Sequence, residues 1–255
     1  MIKDIKSSIA SYFKAYKLIG ELKLWKYFFI PIGLGLILGG IFIGTAYGLS
    51  DNLGSLISNF WKWDFGKNIV TSISTIIGGL GILLIGIILY KHILMALSAP
   101  FMTPVSEKVE QYLTGIDVHE TETKSNFMKQ LVRSIRLNTR NLTIELLITI
   151  PLLLLSLIPV VGLIATFFLF YYQSFYTGFG NLDYTLERHL NYKESNDFVK
   201  KYKGIAIGNG LIFTLMLFIP LVGIMITLPI STIAATIDSV KKLHTEEKLV
   251  LTQNI

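Results

Sequence analysis

The sequence predicts an all-α integral membrane protein with two long transmembrane helices, two Pro/Gly-broken helical hairpins and amphipathic cytoplasmic helices. Three observations predict it. The apolar residues are gathered into four uncharged blocks. Two of these blocks have the length of one membrane span and two are far longer. The lysines and arginines cluster in the segments between them.

The chain has 255 residues, of which 52% are hydrophobic and 16% charged, whereas soluble domains carry about a quarter charged residues. A soluble helix needs a polar face, and these blocks have none. Cysteine is absent, which excludes disulfides, thiolate metal sites and redox dyads. The net charge is +6. Because the basic residues flank apolar blocks and no nucleic-acid motif accompanies them, they set membrane orientation rather than bind nucleic acid.

The first block, 27–49, and the second, 68–90, are each uncharged and long enough for roughly 30 Å of hydrocarbon. Both read as single spans. Blocks 146–182 and 204–237 are too long for one span. Each is interrupted by a turn-like motif, Ile158-Pro159-Val160-Val161-Gly162 and Ile219-Pro220-Leu221-Val222-Gly223. Proline removes a donor, and glycine permits the reversed backbone that follows. Each block therefore reads as a hairpin with arms of roughly 15 residues, short for a full crossing.

Charge supports that reading. Short loops rich in Lys and Arg stay cytoplasmic. Hairpins keep every rich cluster inside, including Arg188, Lys193, Lys200, Lys201 and Lys203, and leave only 50–67 outside. Single kinked helices would put that cluster outside. Both termini are then cytoplasmic, with a tail over 238–255. The two turns are either tight packed corners or the lining of a pathway, because irregular backbone at membrane depth must be buried in protein or face water.

Segment 1–26 begins with Ile2, Ile5, Ile9, Tyr12, Tyr16 and Ile19 at helical spacing among lysines. This basic amphipathic helix suits a membrane surface or the protein's own cytoplasmic face. Cytoplasmic helices are expected over 98–141. In the first, Thr103 caps, Pro104 enters the first turn and Gly115 ends the helix. The second carries Lys129, Arg133, Arg136 and Arg140 on one face, either a solvated face or the wall of an anion vestibule. Gly40, Gly44 and Gly48, four apart, suit close helix packing or self-association.

Nothing points to an enzyme. No metal-ligand spacing, nucleophile elbow or phosphate loop is present, so no catalytic residue, metal or cofactor is expected. The membrane blocks hold no ionisable residue, which argues against a buried acid relay.

Several motifs stand in an order that resembles the etoposide-induced-protein membrane family, whose bacterial branch comprises the CysZ-type sulfate permeases. They are Ala99-Pro100-Phe101, Glu107-Lys108-Val109-Glu110, Leu113-Thr114-Gly115, Ile158-Pro159 with Gly162, and Leu182-Asp183-Tyr184 with Arg188-His189. Ile219-Pro220-Leu221, Leu228-Pro229 and Ala234-Ala235-Thr236 complete the set. The resemblance implies two long spans, paired shorter helices dipping into the bilayer, a homo-oligomer in the bacterial inner membrane, and sulfate uptake feeding cysteine synthesis. It also implies an anion site at a Gly-Leu-Arg-Arg-like motif before the first span. Here those positions are Lys23, Leu24, Trp25 and Lys26, so the glycine and the first arginine are replaced. Arg133, Arg136, Glu107 and Glu110 are further vestibule or pore candidates. The expected partners are the lipid bilayer and sulfate or a similar small anion. The alternative is a non-transporting membrane scaffold or assembly factor, as the family's eukaryotic relatives suggest.

Overall fold

A computed structural model gives the fold, and describes residues 1–60, 67–116, 127–156, 158, 160–219 and 222–253; of these, 45–60, 67–84, 222, 224, 225 and 247–253 are described by backbone alone. The described chain is α-helical throughout. In chain order the helices are α1 (Ile2–Glu21), a 3-10 turn (Leu24–Tyr27), α2 (Phe29–Phe60), α3 (Lys67–Thr114), α4 (Phe127–Leu155), α5 (Val161–His189), α6 (Tyr192–Lys201), α7 (Lys203–Leu217) and α8 (Val222–Gln253). Leu24–Gly44 and Ile85–Thr114 are long and apolar enough to cross a membrane. On α2, Leu36, Ile37, Ile41 and Ile43 are all more than half exposed, an apolar surface that suits contact with hydrocarbon.

Two clusters form the core. One joins α1, the 3-10 turn, α3, α7 and α8 through Ile19, Leu24, Met102, Val105, Phe213 and Ile233. The other joins α4 to α8 through Leu137, Phe179, Leu182, Phe198 and Ala235. Helices α5 and α7 approach at backbone distance. A Cβ on Gly178 would overlap the Ala206 carbonyl oxygen, and one on Gly210 would overlap that of Ser174. Polar side chains tie the same bundle together. The Tyr12 hydroxyl donates to the Asn209 carbonyl (2.6 Å) and lies 2.9 Å from Ser231 Oγ, while Asn209 Nδ2 donates to the Ser231 carbonyl and Asn181 Nδ2 to Asn209 Oδ1.

Several boundaries differ from the sequence expectation. On α1 the buried face is Ser8, Ser11, Tyr12, Ala15, Leu18 and Ile19, whereas Ile2 and Tyr16 are 69% and 71% exposed. The reason is close packing: a Cβ on Gly208 of α7 would come 2.7 Å from the Ser8 Cβ, so the contact selects small residues over large apolar ones. Helix α3 runs unbroken through Pro100 and Pro104 instead of restarting at a Thr103 cap. Thr103 Oγ1 donates back to the Ala99 carbonyl and reaches Glu187 Oε1 at 2.6 Å. An internal proline costs about 3 kcal/mol, and the burial of Ala99, Met102 and Val105, all 0% exposed, offsets it. Gly115 does terminate α3, at φ +71°.

The basic helix and the first arm of the third block are one helix, α4, with Pro151 inside it. Helix α5 likewise continues past the block to His189, so these arms are 29 residues each, about twice the expected length. The expected turn prolines, Pro159 and Pro220, and Leu221 lie outside the described residues. Near the first turn the positive φ falls on Val160 (+71°), while Gly162 is needed for a different reason: its Cβ would overlap the Ser156 carbonyl oxygen. Helix α2 extends to Phe60, well into the segment read as an external loop. Residues 61–66 of that loop lie outside the described residues.

Candidate anion site and buried charge networks

The junction between α1 and α2 is built from a short sequence with an unusual backbone. Lys23 adopts the left-handed conformation (φ 52°, ψ 45°) and opens the 3-10 turn Leu24–Tyr27. For an L-residue that conformation costs roughly 1–2 kcal/mol, and glycine tolerates it freely. Lys23 thus adopts the conformation that favours glycine. Leu24 is 0% exposed and pins the turn into the core. Trp25 is 56% exposed and stacks on Phe28 at 5.4 Å. At the junction the last carbonyls of α1 accept from Leu22 N and Lys23 N, and the first amides of the 3-10 turn that follow have no partner within the turn itself.

Positive charge gathers beside this turn. Lys26 Nζ lies 5.2 Å from the centre of the Tyr27 ring, and Lys108 Nζ from α3 lies 5.6 Å from the same centre, within cation–π range. A cleft of about 330 Å³ lined by Leu22, Lys108, Gln111 and Tyr112 adjoins them. The Tyr112 hydroxyl donates to Glu21 Oε2 at 3.1 Å, which fixes the cleft to the end of α1. The sequence motif supplied Lys23, Leu24, Trp25 and Lys26. Lys108 joins them only because α3 passes behind the turn.

The other candidates lie elsewhere and are engaged. Arg133 grips Asp183 with two donors (Nε 3.1 Å, Nη2 2.8 Å) and donates to the Leu190 carbonyl and Ser195 Oγ, both at 2.8 Å. That fork fastens α4 to α5 and to the start of α6, and planar bidentate pairing is the geometry lysine cannot supply. Arg136 is exposed and lies over the Tyr192 ring at 4.7 Å. Glu110 is buried on α3, paired with Arg188 Nη2 and His189 Nε2 at 2.5 Å each. Glu107 is half-buried, one turn away from it. The structure therefore brings Glu110 together with α5, Arg133 together with α5 and α6, and neither with the Lys23–Lys26 turn.

Two features escaped the sequence reading. Lys91, His92 and Glu145 form a sealed triad between α3 and α4: Lys91 Nζ is 2.6 Å from Glu145 Oε1 and His92 Nε2 2.8 Å from Glu145 Oε2, with all three side chains at 1% exposure or less. His92 Nδ1 faces Asn138 Oδ1 at 3.2 Å. Each of these residues stands at the edge of an uncharged block, which is why a search for charges inside blocks passes over them. The second feature is Glu187, bonded to Thr103. Burial, together with the neighbouring Asp183, pushes its carboxyl up to about 7, against the opposing pull of Thr103, Arg133 and Arg188.

An all-helical bundle with two helices long and apolar enough to cross a membrane defines the class, a helical membrane protein. Residues 11–227 match the family described as sulfate transporter CysZ/etoposide-induced protein 2.4, and the chain belongs to that family. It is 27% identical over 231 residues to a protein named sulfate transporter CysZ from Pseudomonas aeruginosa, covering 89% of this chain and 91% of that one. Similarity extends to proteins of the same name from Pseudomonas fluorescens (29% over 147 residues, 57% of this chain and 59% of the relative) and Pseudomonas paraeruginosa (26% over 231 residues, 89% and 91%).

Proposed function

We propose that this chain is an inner-membrane anion permease that carries sulfate into the cell for sulfur assimilation and cysteine synthesis. The observation that carries the reading is the left-handed Lys23 at the head of the Leu24–Tyr27 turn, in a chain whose curated relatives are named sulfate transporters. In this reading the turn offers backbone amides and the lysines Lys23 and Lys26, supported by Lys108, whose ammonium group lies against the same Tyr27 ring as that of Lys26. An oxyanion is recognised by such a set of donors. In this reading Trp25 shapes the mouth, and Glu107 and Glu110 position basic residues without touching the anion. Of the two arginine candidates, the exposed Arg136 keeps a place on the approach, where its positive charge raises the local anion concentration, while Arg133 is committed to Asp183.

The decisive measurement is sulfate flux into liposomes containing the purified chain. Flux above empty liposomes is expected, reduced by Lys26→Glu; folded protein without flux would overturn the transport reading and favour a scaffold. Sulfate affinity unchanged in Lys26→Glu would remove Lys26 from the site while leaving transport open.

The membrane topology proposed with this function has both termini cytoplasmic, two full spans, and the helix pairs α4–α5 and α7–α8 turning within the bilayer. A reporter fused near Tyr192 should read cytoplasmic, and a periplasmic signal there would rule the arrangement out. The open surroundings of Gly40 and Gly44, where an added Cβ meets nothing within 4 Å, leave α2 room for a second copy in a homo-oligomer.

A further inference from the structure

Helix α1 carries three stripes, and the protein covers one. The small and apolar residues Ser8, Ser11, Tyr12, Ala15, Leu18 and Ile19 face the bundle. Ile2, Ile9, Phe13 and Tyr16 fall within an arc of about 60° at 3.6 residues per turn. Phe13 is 78% exposed, Tyr16 71% and Ile2 69%, with Ile9 half-buried. Beside them Lys3, Lys6, Lys14 and Lys17 occupy an arc of about 80°, all exposed. Acidic residues do not balance these lysines. Asp4 is held by Lys242 at 2.7 Å, and Glu21 approaches Lys17 only at 3.8 Å.

Position supplies the rest of the argument. Only Leu22 and Lys23 separate α1 from the Leu24–Gly44 span, so the end of α1 sits at the entrance to the hydrocarbon. The left-handed Lys23 breaks helical continuity there and prevents α1 from extending the span as one rod. A helix held at that level, with an apolar aromatic stripe and a basic stripe side by side, matches the boundary between acyl chains and phosphates. Aromatic rings favour that boundary, and each lysine near an anionic leaflet adds attraction that zwitterionic lipid lacks. We propose that the outer face of α1 binds acidic phospholipid, with Phe13, Tyr16, Ile2 and Ile9 at the top of the acyl region and Lys3, Lys6, Lys14 and Lys17 on head-group phosphates. Substrate identity plays no part in this, so it stands or falls separately from sulfate transport.

The test uses the full chain in detergent, titrated with phosphatidylglycerol or phosphatidylcholine and read by native mass spectrometry. Wild type is expected to retain phosphatidylglycerol at least about tenfold better, and K3Q/K6Q/K14Q/K17Q to lose most of that preference. K193Q/K200Q/K203Q, which removes exposed lysines elsewhere, should keep it. Because no cysteine is present, Phe13→Cys gives a single labelling site, and an environment-sensitive dye there should be quenched by brominated lipid in nanodiscs. Equal retention of both lipids, equal losses in the two lysine variants, or a dye that reports water would each overturn the proposal. So would a change in oligomer mass in the quadruple variant with lipid preference intact, since that would assign the face to a second copy of the chain.

Discussion

Lys91 Nζ lies 2.6 Å from Glu145 Oε1, with both side chains sealed from solvent, although 54 positions separate them in the chain. The pair closes the contact between α3 and α4 at the edge of two apolar blocks, and His92 shares the same carboxylate. Breaking one side of a buried pair leaves a naked charge, at a cost of about 3–5 kcal/mol. Glu145→Leu should therefore lower the thermal unfolding temperature sharply. Lys91→Met combined with Glu145→Leu should recover most of the loss, since apolar replacement of both partners is often neutral. Thermal unfolding of the three proteins in one detergent decides it, and a double variant no better than the single would refute the charge argument.

Glu187 provides a pH signature. Burial, aided by the Asp183 carboxylate, raises its folded-state pKa from 4.5 to about 7. Between those values the folded chain binds more protons than the unfolded one, so stability falls as pH rises. The contribution is complete below about pH 4.5 and gone above about pH 7, with a full span of about 3 kcal/mol at 1.36 kcal/mol per unit. Glu187→Gln removes the titration. The difference in unfolding temperature between wild type and Glu187→Gln, measured from pH 5 to pH 8, should shift steadily against wild type; a constant difference would contradict the assignment.

Gly178 and Gly210 face opposing carbonyl oxygens across the α5–α7 contact. Alanine is the better helix former by about 1 kcal/mol, yet at either position its methyl would overlap backbone. Gly178→Ala and Gly210→Ala should each destabilise by about 1–3 kcal/mol. Gly20→Ala, where a Cβ meets nothing within 4 Å, should be neutral or stabilising. Monodispersity and unfolding temperature compare the three.

Lys23 is the fourth test. Lys23→Gly should relieve backbone strain and raise stability by about 1 kcal/mol, while Lys23→Val should lower it by about as much or more. Calorimetry checks the sign. If Lys23→Gly also weakens sulfate binding, the ammonium group contributes to the site; if binding is unchanged, the turn alone carries it.

Much of this protein was legible in the sequence. Uncharged blocks of span length announced the membrane, because an unpaired charge in hydrocarbon is costly. Gly115 ends α3 at a positive φ, as its place after Leu113 and Thr114 predicted. The family resemblance pointed to Lys23, Leu24, Trp25 and Lys26 as an anion site, and the flux and affinity measurements above test that assignment.

What stayed hidden depends on partners distant in the chain. Which face of α1 packs on the bundle was not legible, because helical periodicity counts large apolar residues while the contact with Gly208 admits only small ones. The Thr103 cap was misread because local rules break a helix at Pro100 and Pro104, whereas burial against neighbouring helices carries α3 through both. Arg133 on Asp183, Arg188 on Glu110 and Lys91 on Glu145 were unpaired charges in the sequence, since a pair exists only once two helices meet. The sequence by itself therefore determined the solvent of this protein and its helical class. Tertiary structure alone decided which charges are spent holding helices together and which remain exposed to meet an anion or a lipid, because burial and pairing are properties of packed surfaces.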